Sequence, residues 1–299
     1  MKIRYGPLLL LCGLAALFLA ESGSVRTAVG EGLTLCAATV VPSLFPFLVV
    51  SALLTSCGFG PWAARWAAPF MALYRLPGCA ASAVVLGLAG GYPIGAKTAA
   101  DLCRQGLMTR EEGERLLTFC SNSGPVFLIG VLGGGIFEST RAGLWLWLVH
   151  IASALVTGLF FRDLGKGRSE RPPALALQAV HLPSAFVAAV REGAAACLSV
   201  CGFVTWFYLL SRPLAGLGGW LGALLTGGVE LFSLTPLLGN DGPSFILSSA
   251  CAAWGGLSVL CQTAAVLEGS GLDIRWYVLG KGVQALLSAL LAALVWAIL

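Results

Sequence analysis

The sequence predicts an all-α, polytopic membrane protein built from inverted repeats, with two re-entrant helical hairpins and broken helices. Three observations lead there. Hydrophobic residues make up 58% of the 299 residues and charged residues only 11%, where a soluble domain carries about 25% charge; mean hydropathy is +0.88. Apolar runs of membrane-crossing length recur along the chain. Glycine pairs and prolines interrupt the chain at corresponding places in its two halves. So few charges cannot cover a water-facing surface, which excludes a secreted disulfide scaffold, a disordered tail and a nucleic-acid binder. The expected surroundings are a lipid bilayer.

The elements follow in order. Residues 7–20 form a short apolar helix after Lys2 and Arg4. Phe18 and Ala20 make a poor small-x-small cleavage pattern, so a retained helix is expected rather than a cleaved signal peptide. Segments 33–57, 116–137, 142–161, 186–211 and 275–299 are apolar enough to cross or nearly cross a bilayer, which takes about 20 residues. Segment 243–267 is similar but richer in Ser, Gly and Cys. Two other apolar stretches are too short. Residues 79–89 rise about 16 Å as a helix. They run into GGYPIG, which no continuous helix tolerates well, and then into Lys97, Thr98, Asp101 and Arg104. The expectation is a hairpin that enters and leaves on one side; broken backbone survives at membrane depth only when buried in protein or lining a wet cavity. Residues 221–239 repeat the plan with Gly227, Gly228, Glu230, Pro236 and Asn240. Glu230 is read as a solvated loop acid in preference to a proton carrier.

Basic residues set the orientation. With a cytoplasmic amino terminus and two re-entrant hairpins, Lys2, Arg4, Arg65, Arg75, Arg104, Arg110, Arg115, Arg162, Lys166, Arg168 and Arg171 share the cytoplasmic side. Only Arg26, Arg141 and Arg212 face away. A full crossing by residues 79–100 would remove most of that bias. The chain therefore divides into an amino-terminal helix and loop (1–32), a first repeat (33–161), a charged cytoplasmic linker with Pro172 and Pro173 (162–185) and a second repeat (186–299). Each repeat has a long helix, a GG-containing hairpin, a Gly/Ser-interrupted helix and a plain apolar helix. The first long helix starts outside and the second inside, so the repeats are inverted.

Three stretches carry the candidate chemistry. In GGYPIGAKTAADL, Gly90, Gly91 and Gly95 let the chain turn and approach a ligand closely, with Tyr92 at the bend. Pro93 stops the first helix. The next helix presents free amides to an anion, with Lys97 and Thr98 in its first turns. An ammonium at this depth needs a partner or a wet cavity. Lys97 is expected to help bind a carboxylate; pairing with Asp101 one turn along or snorkelling is the alternative. In FCSNSGPVF, Ser121, Asn122, Ser123 and Gly124 precede Pro125, which frees a carbonyl four residues back. Those polar side chains serve the broken backbone, a ligand, or both. In WGGLSVLCQ, Gly255 and Gly256 loosen a helix, while Ser258 and Gln262 share a face for interhelical hydrogen bonds or ligand contact. No metal site or cofactor is expected. The ten cysteines form no C-x-x-C pair and sit mostly in apolar runs as packing residues. An intramembrane enzyme would need a convergent acid/base or nucleophilic set, and the apolar segments offer none.

The pairing of GGYPIGAK with SNSGPVF, followed by GGLSV and Gln262, resembles the sporulation integral membrane protein YlbJ family, within the nucleoside recognition or Gate-domain group. The resemblance covers roughly 33–299, so both repeats are read as Gate-type. It implies a fold like that of concentrative nucleoside transporters. It also implies a role in bacterial spore formation, linked to moving dipicolinic acid across the outer forespore membrane. A small anionic substrate follows, with a nucleoside or a non-transporting assembly role as alternatives. A homo-oligomer or other sporulation membrane proteins are compatible partners.

The hairpin reading has a direct test. In a cysteine-free background, Arg75→Cys and Arg104→Cys are expected to react with an impermeant maleimide from the same compartment. Labelling from opposite compartments would make residues 79–100 an ordinary crossing.

Overall fold

The computed structural model describes residues 5–165 and 181–298. The linker's Lys166, Arg168, Arg171, Pro172 and Pro173 lie outside the described residues, as do Lys2 and Arg4. Among the described residues every regular element is helical. In chain order they begin with α1 (Tyr5–Ala20), α2 (Ser22–Leu35), α3 (Val41–Ser56) and α4 (Phe59–Ala72). Then come α5 (Ala81–Gly90), α6 (Ile94–Arg104), α7 (Arg110–Leu117), a wide-turned π segment (Val126–Ile136) and α8 (Thr140–Phe160). The second half holds α9 (Leu182–Ala215), α10 (Gly219–Val229), α11 (Leu231–Leu234), α12 (Gly242–Trp254), α13 (Gly256–Leu267) and α14 (Ile274–Trp296).

Among the described residues, five helices are long and apolar enough to cross a membrane: Ser22–Ser56, Thr140–Phe160, Leu182–Ala215, Gly242–Leu267 and Ile274–Trp296. The first runs through α2 and α3 without a stop, so the helix expected at 33–57 starts earlier, at Ser22. Segment 116–137 is not one span. Helix α7 ends at Leu117, residues 121–124 are non-helical, and helical backbone resumes after Pro125. Segment 243–267 bends at Gly255 and Gly256, both at positive φ (84° and 83°), a conformation that favours glycine. In the second hairpin the chain does not turn at the glycine pair. Helix α10 continues through Gly227 and Gly228, and the turn falls at the extended Glu230. Helix α4 lay outside the expected elements.

The burial pattern is that of a protein whose solvent is hydrocarbon. Along α14, Leu286, Leu290 and Leu294 are exposed, whereas Lys281, Gln284 and Ser288 are buried. Helices α12 and α14 pack along each other, as do α3 and α9. Ser249 and Ser288 tie the first pair, with their hydroxyls 2.8 Å apart.

Charged groups gather at two places. The Arg115 guanidinium donates to the Arg75 carbonyl oxygen and to that of Leu164. Arg104 donates to the carbonyl oxygens of Val266 and Glu268, at 3.1 and 2.7 Å. The Asp273 amide donates to Glu114. The stretch just before α5 thus lies against α7, the helix that follows α6. Elsewhere Arg212 pairs with Glu31 at 2.8 Å.

Glycines set how closely the backbones approach. A side chain on Gly280 would overlap the Thr118 carbonyl, and one on Gly87 or Gly95 the Cys120 carbonyl. Helix α14 and the first hairpin therefore both lie directly against the stretch that follows α7. Gly280→Val is expected to lower stability by about 2–3 kcal/mol through overpacking. Gly282→Ala, which meets nothing within 4 Å, is expected to hold or raise it by up to about 1 kcal/mol; thermal unfolding of the purified protein in detergent reads both.

Candidate functional site

Both hairpins and both helix breaks meet around one cavity of about 90 Å³. Gly90, Gly91 and Tyr92 line it from the first hairpin, and Ser123 and Gly124 from the first break. The second hairpin contributes Glu230, Leu231 and Phe232, and α13 contributes Val259 and Gln262. The long helices supply apolar walls, among them Phe47, Val200 and Val204.

Close contacts tie the parts together. Gly91 sits at φ 87°, and its missing Cβ leaves room for the Gly124 amide. The Tyr92–Pro93 peptide is cis. The Tyr92 hydroxyl reaches across to the end of α12, facing the Ala252 and Ala253 carbonyl oxygens at 3.1 and 3.0 Å. The Ser123 hydroxyl donates to the same Ala252 oxygen at 3.0 Å. Gly255 lies against the Tyr92 ring, and Gly256 against the Val229 carbonyl. The Trp254 indole donates to the Gly228 carbonyl at 3.0 Å. The α12–α13 break is thus wedged between the two hairpin tips. Phe232 of the second tip meets Phe127 of the π segment edge to face, 5.0 Å between centroids. Each tip touches both breaks.

The structure does not place all the expected site residues at the cavity. Gly90, Gly91, Tyr92, Ser123, Gly124 and Gln262 line the cavity, and Ser258 accepts from the Gln262 amide at 3.1 Å. Ser121 and Asn122 are fully buried in a polar cluster beside it. Lys97 and Thr98 lie elsewhere. The Lys97 ammonium pairs with Asp101 at 2.9 Å and Glu192 at 3.4 Å, so the i,i+4 pairing is formed. Thr98 bonds back to the Ile94 carbonyl at 2.9 Å within its own helix. Pro93 makes the bend, and Gly95 packs on Cys120.

Glu230 corrects the reading of a solvated loop acid. It is 1% exposed and faces the cavity. Its carboxylate caps α11, accepting from the Ser233 amide at 2.7 Å and the Ser233 hydroxyl at 3.1 Å. A four-residue helix whose amides need an acceptor draws the acid inward.

The buried ammonium is Lys281, which sequence reasoning passed over inside a segment taken as plain apolar helix. It is 1% exposed. It donates to the Ser121 carbonyl oxygen, to Gln284 Oε1 at 2.5 Å and, more loosely, to Asn122 Oδ1 at 3.5 Å. Its Nζ lies 5.2 Å from the Tyr92 ring centroid and 5.7 Å from that of Tyr277. The Gln284 amide donates to Asn122 Oδ1 at 3.0 Å, and Asn122 donates to the Phe119 carbonyl at 2.8 Å. His150 Nε2 accepts from the Ser123 amide at 3.1 Å. The signal was present: a lysine two turns inside an apolar helix, flanked by Gly280 and Gly282 and followed by Gln284.

Residues 37–161, which hold the first hairpin and the first break, match the Gate family model, described as nucleoside recognition. The chain resembles the YlbJ family over most of its length. It is 26% identical over 309 residues to the sporulation integral membrane protein YlbJ of Bacillus subtilis (strain 168), covering 89% of this chain and 76% of that protein. No solved structure matches. With five long apolar helices among its described residues, the chain is an integral membrane protein.

The shared Ala252 carbonyl makes a testable pair. Tyr92→Phe and Ser123→Ala each leave that oxygen one donor. The double variant leaves it none and is expected to lose about 1–2 kcal/mol more than the two single losses together, read as thermal midpoints in a double-mutant cycle.

Proposed function

We propose that this chain is a membrane transporter of a small organic anion, dipicolinate, acting during bacterial sporulation. The observation that carries the reading is the convergence of two hairpin tips and two helix breaks on one cavity. Polar backbone interrupted at membrane depth makes sense where it lines a substrate path. The same element order in both halves fits inverted repeats, and the adjoining ends of residues 75 and 115 fit a re-entrant first hairpin. Such a pair of tips gates a site by parting on one side and then on the other. The cavity of about 90 Å³ is smaller than common ligand sites of about 300–1,000 Å³, so on this reading the ligand is taken up when the tips separate. The outer forespore membrane and a cytoplasmic amino terminus belong to the same reading.

Three features favour negative charge. Helices α6 and α13 begin beside the cavity wall, and helix starts carry partial positive charge. The Lys281 ammonium lies behind the Tyr92 ring. The Glu230 carboxylate opposes them, although Ser233 donors hold it. Glu230 together with Gln262 favours a second reading, a neutral nucleoside whose hydroxyls and amides would bond to both.

Substitution at Glu230 separates the two. On the anion reading, Glu230→Gln removes a repulsive charge and tightens dipicolinate binding about tenfold, while uridine has no effect on either form. On the nucleoside reading, uridine stabilises the wild type and Glu230→Gln weakens that effect. Ligand-induced thermal shifts of the purified protein decide between them. Stabilisation by neither compound would favour a non-transporting assembly role.

A further inference from the structure

Lys281 has a property that transport does not require. A buried ammonium is ordinarily paired with a carboxylate, because the desolvation cost is large. Here no acidic side chain is paired with it among the described residues. Its oxygen neighbours are all neutral: the Ser121 carbonyl, Asn122 Oδ1 and Gln284 Oε1. His150, nearby, accepts at Nε2, which places its proton on Nδ1 and leaves the ring uncharged. Two aromatic faces, Tyr92 and Tyr277, complete the surroundings, and such faces attract cations.

The origin of the oxygens explains the arrangement. Pro125 has no amide hydrogen, so the helical partner of the Ser121 carbonyl is missing. That oxygen is fully buried and needs a donor. The Asn122 amide is turned by Gln284 and by the Phe119 carbonyl so that its oxygen also faces the lysine. Carbonyl and amide oxygens gathered at an unwound helix are the ligand set that binds Na⁺ or K⁺ in membrane proteins. Gly280, with no side chain to keep α14 from Thr118, brings the adjacent lysine to that position.

We propose that Lys281 is a tethered cation. Its ammonium occupies a monovalent-cation site made by the Ser121 carbonyl, Asn122 and Gln284, so the first helix break is held without a dissolved Na⁺ or K⁺. Removing the lysine head uncovers a site that takes a small free cation. This inference stands apart from what the chain carries, and its test reads stability rather than uptake.

The experiment compares thermal midpoints of the full chain in sodium, potassium, ammonium and N-methylglucamine chlorides at constant ionic strength. The wild type is expected to be indifferent to the choice. Lys281→Ala in N-methylglucamine is expected to fall by roughly 5 °C or more. Ammonium or Na⁺ then restores at least about half of that loss with a saturable dependence on concentration. Adding Asn122→Ala abolishes the rescue. Lys281→Gln, which keeps a neutral donor for the Ser121 oxygen, gives the same readout if the alanine variant does not fold. A wild type that itself gains stability from Na⁺ or K⁺ would overturn the proposal. So would a variant with a wild-type midpoint, one that no small cation restores, or failure of both variants to fold in every salt.

Discussion

A helix that stops inside a bilayer leaves carbonyl oxygens and amide hydrogens that water cannot reach, and each orphan costs several kcal/mol. The architecture is organised around meeting that demand. The first break, at Ser121 to Pro125, is met by Lys281, His150 and the polar side chains of the break itself. The second, at Gly255 and Gly256, is met by Tyr92 and Ser123 at the end of α12. In each case a donor comes from the other half of the chain. The halves are therefore locked together by their interruptions as well as by packed apolar helices.

The same demand explains the glycines. Donors reach a broken helix only when backbones approach within van der Waals contact. Gly280 admits α14 to Thr118, Gly87 and Gly95 admit the first hairpin to Cys120, and Gly91 and Gly124 admit each other. Close approach in turn squeezes the central cavity to its small volume.

Charge follows a related logic. Elsewhere, charged side chains pair with each other or with the carbonyls at a helix end, as at Arg212, Lys97 and Arg104. Deeper in the protein, Glu230 and Lys281 are each held by neutral dipoles instead. Glu230 lines the cavity, whereas Lys281 lies behind the Tyr92 ring, so the two do not form a direct ion pair.

Composition alone determined that the chain lives in lipid, because so few charges cannot clothe a soluble surface. The Gly and Pro punctuation marked three of the helix interruptions, since backbone torsions and a missing amide act within a few residues, although α10 runs on through Gly227 and Gly228. It placed the bend at Tyr92, the break before Pro125 and the kink at Gly255. The pattern could not say which lysine would be buried. Lys97 and Lys281 both sit in apolar company, but Lys97 has Asp101 on its own helix face and found Glu192 as well. Lys281 finds neutral oxygens 160 residues away in sequence. Glu230 was misread for a related reason: whether an acid beside a turn meets water depends on what packs over the turn. Local chemistry decides where a chain breaks. Only the tertiary fold decides what fills the break, because the partners arrive from distant segments.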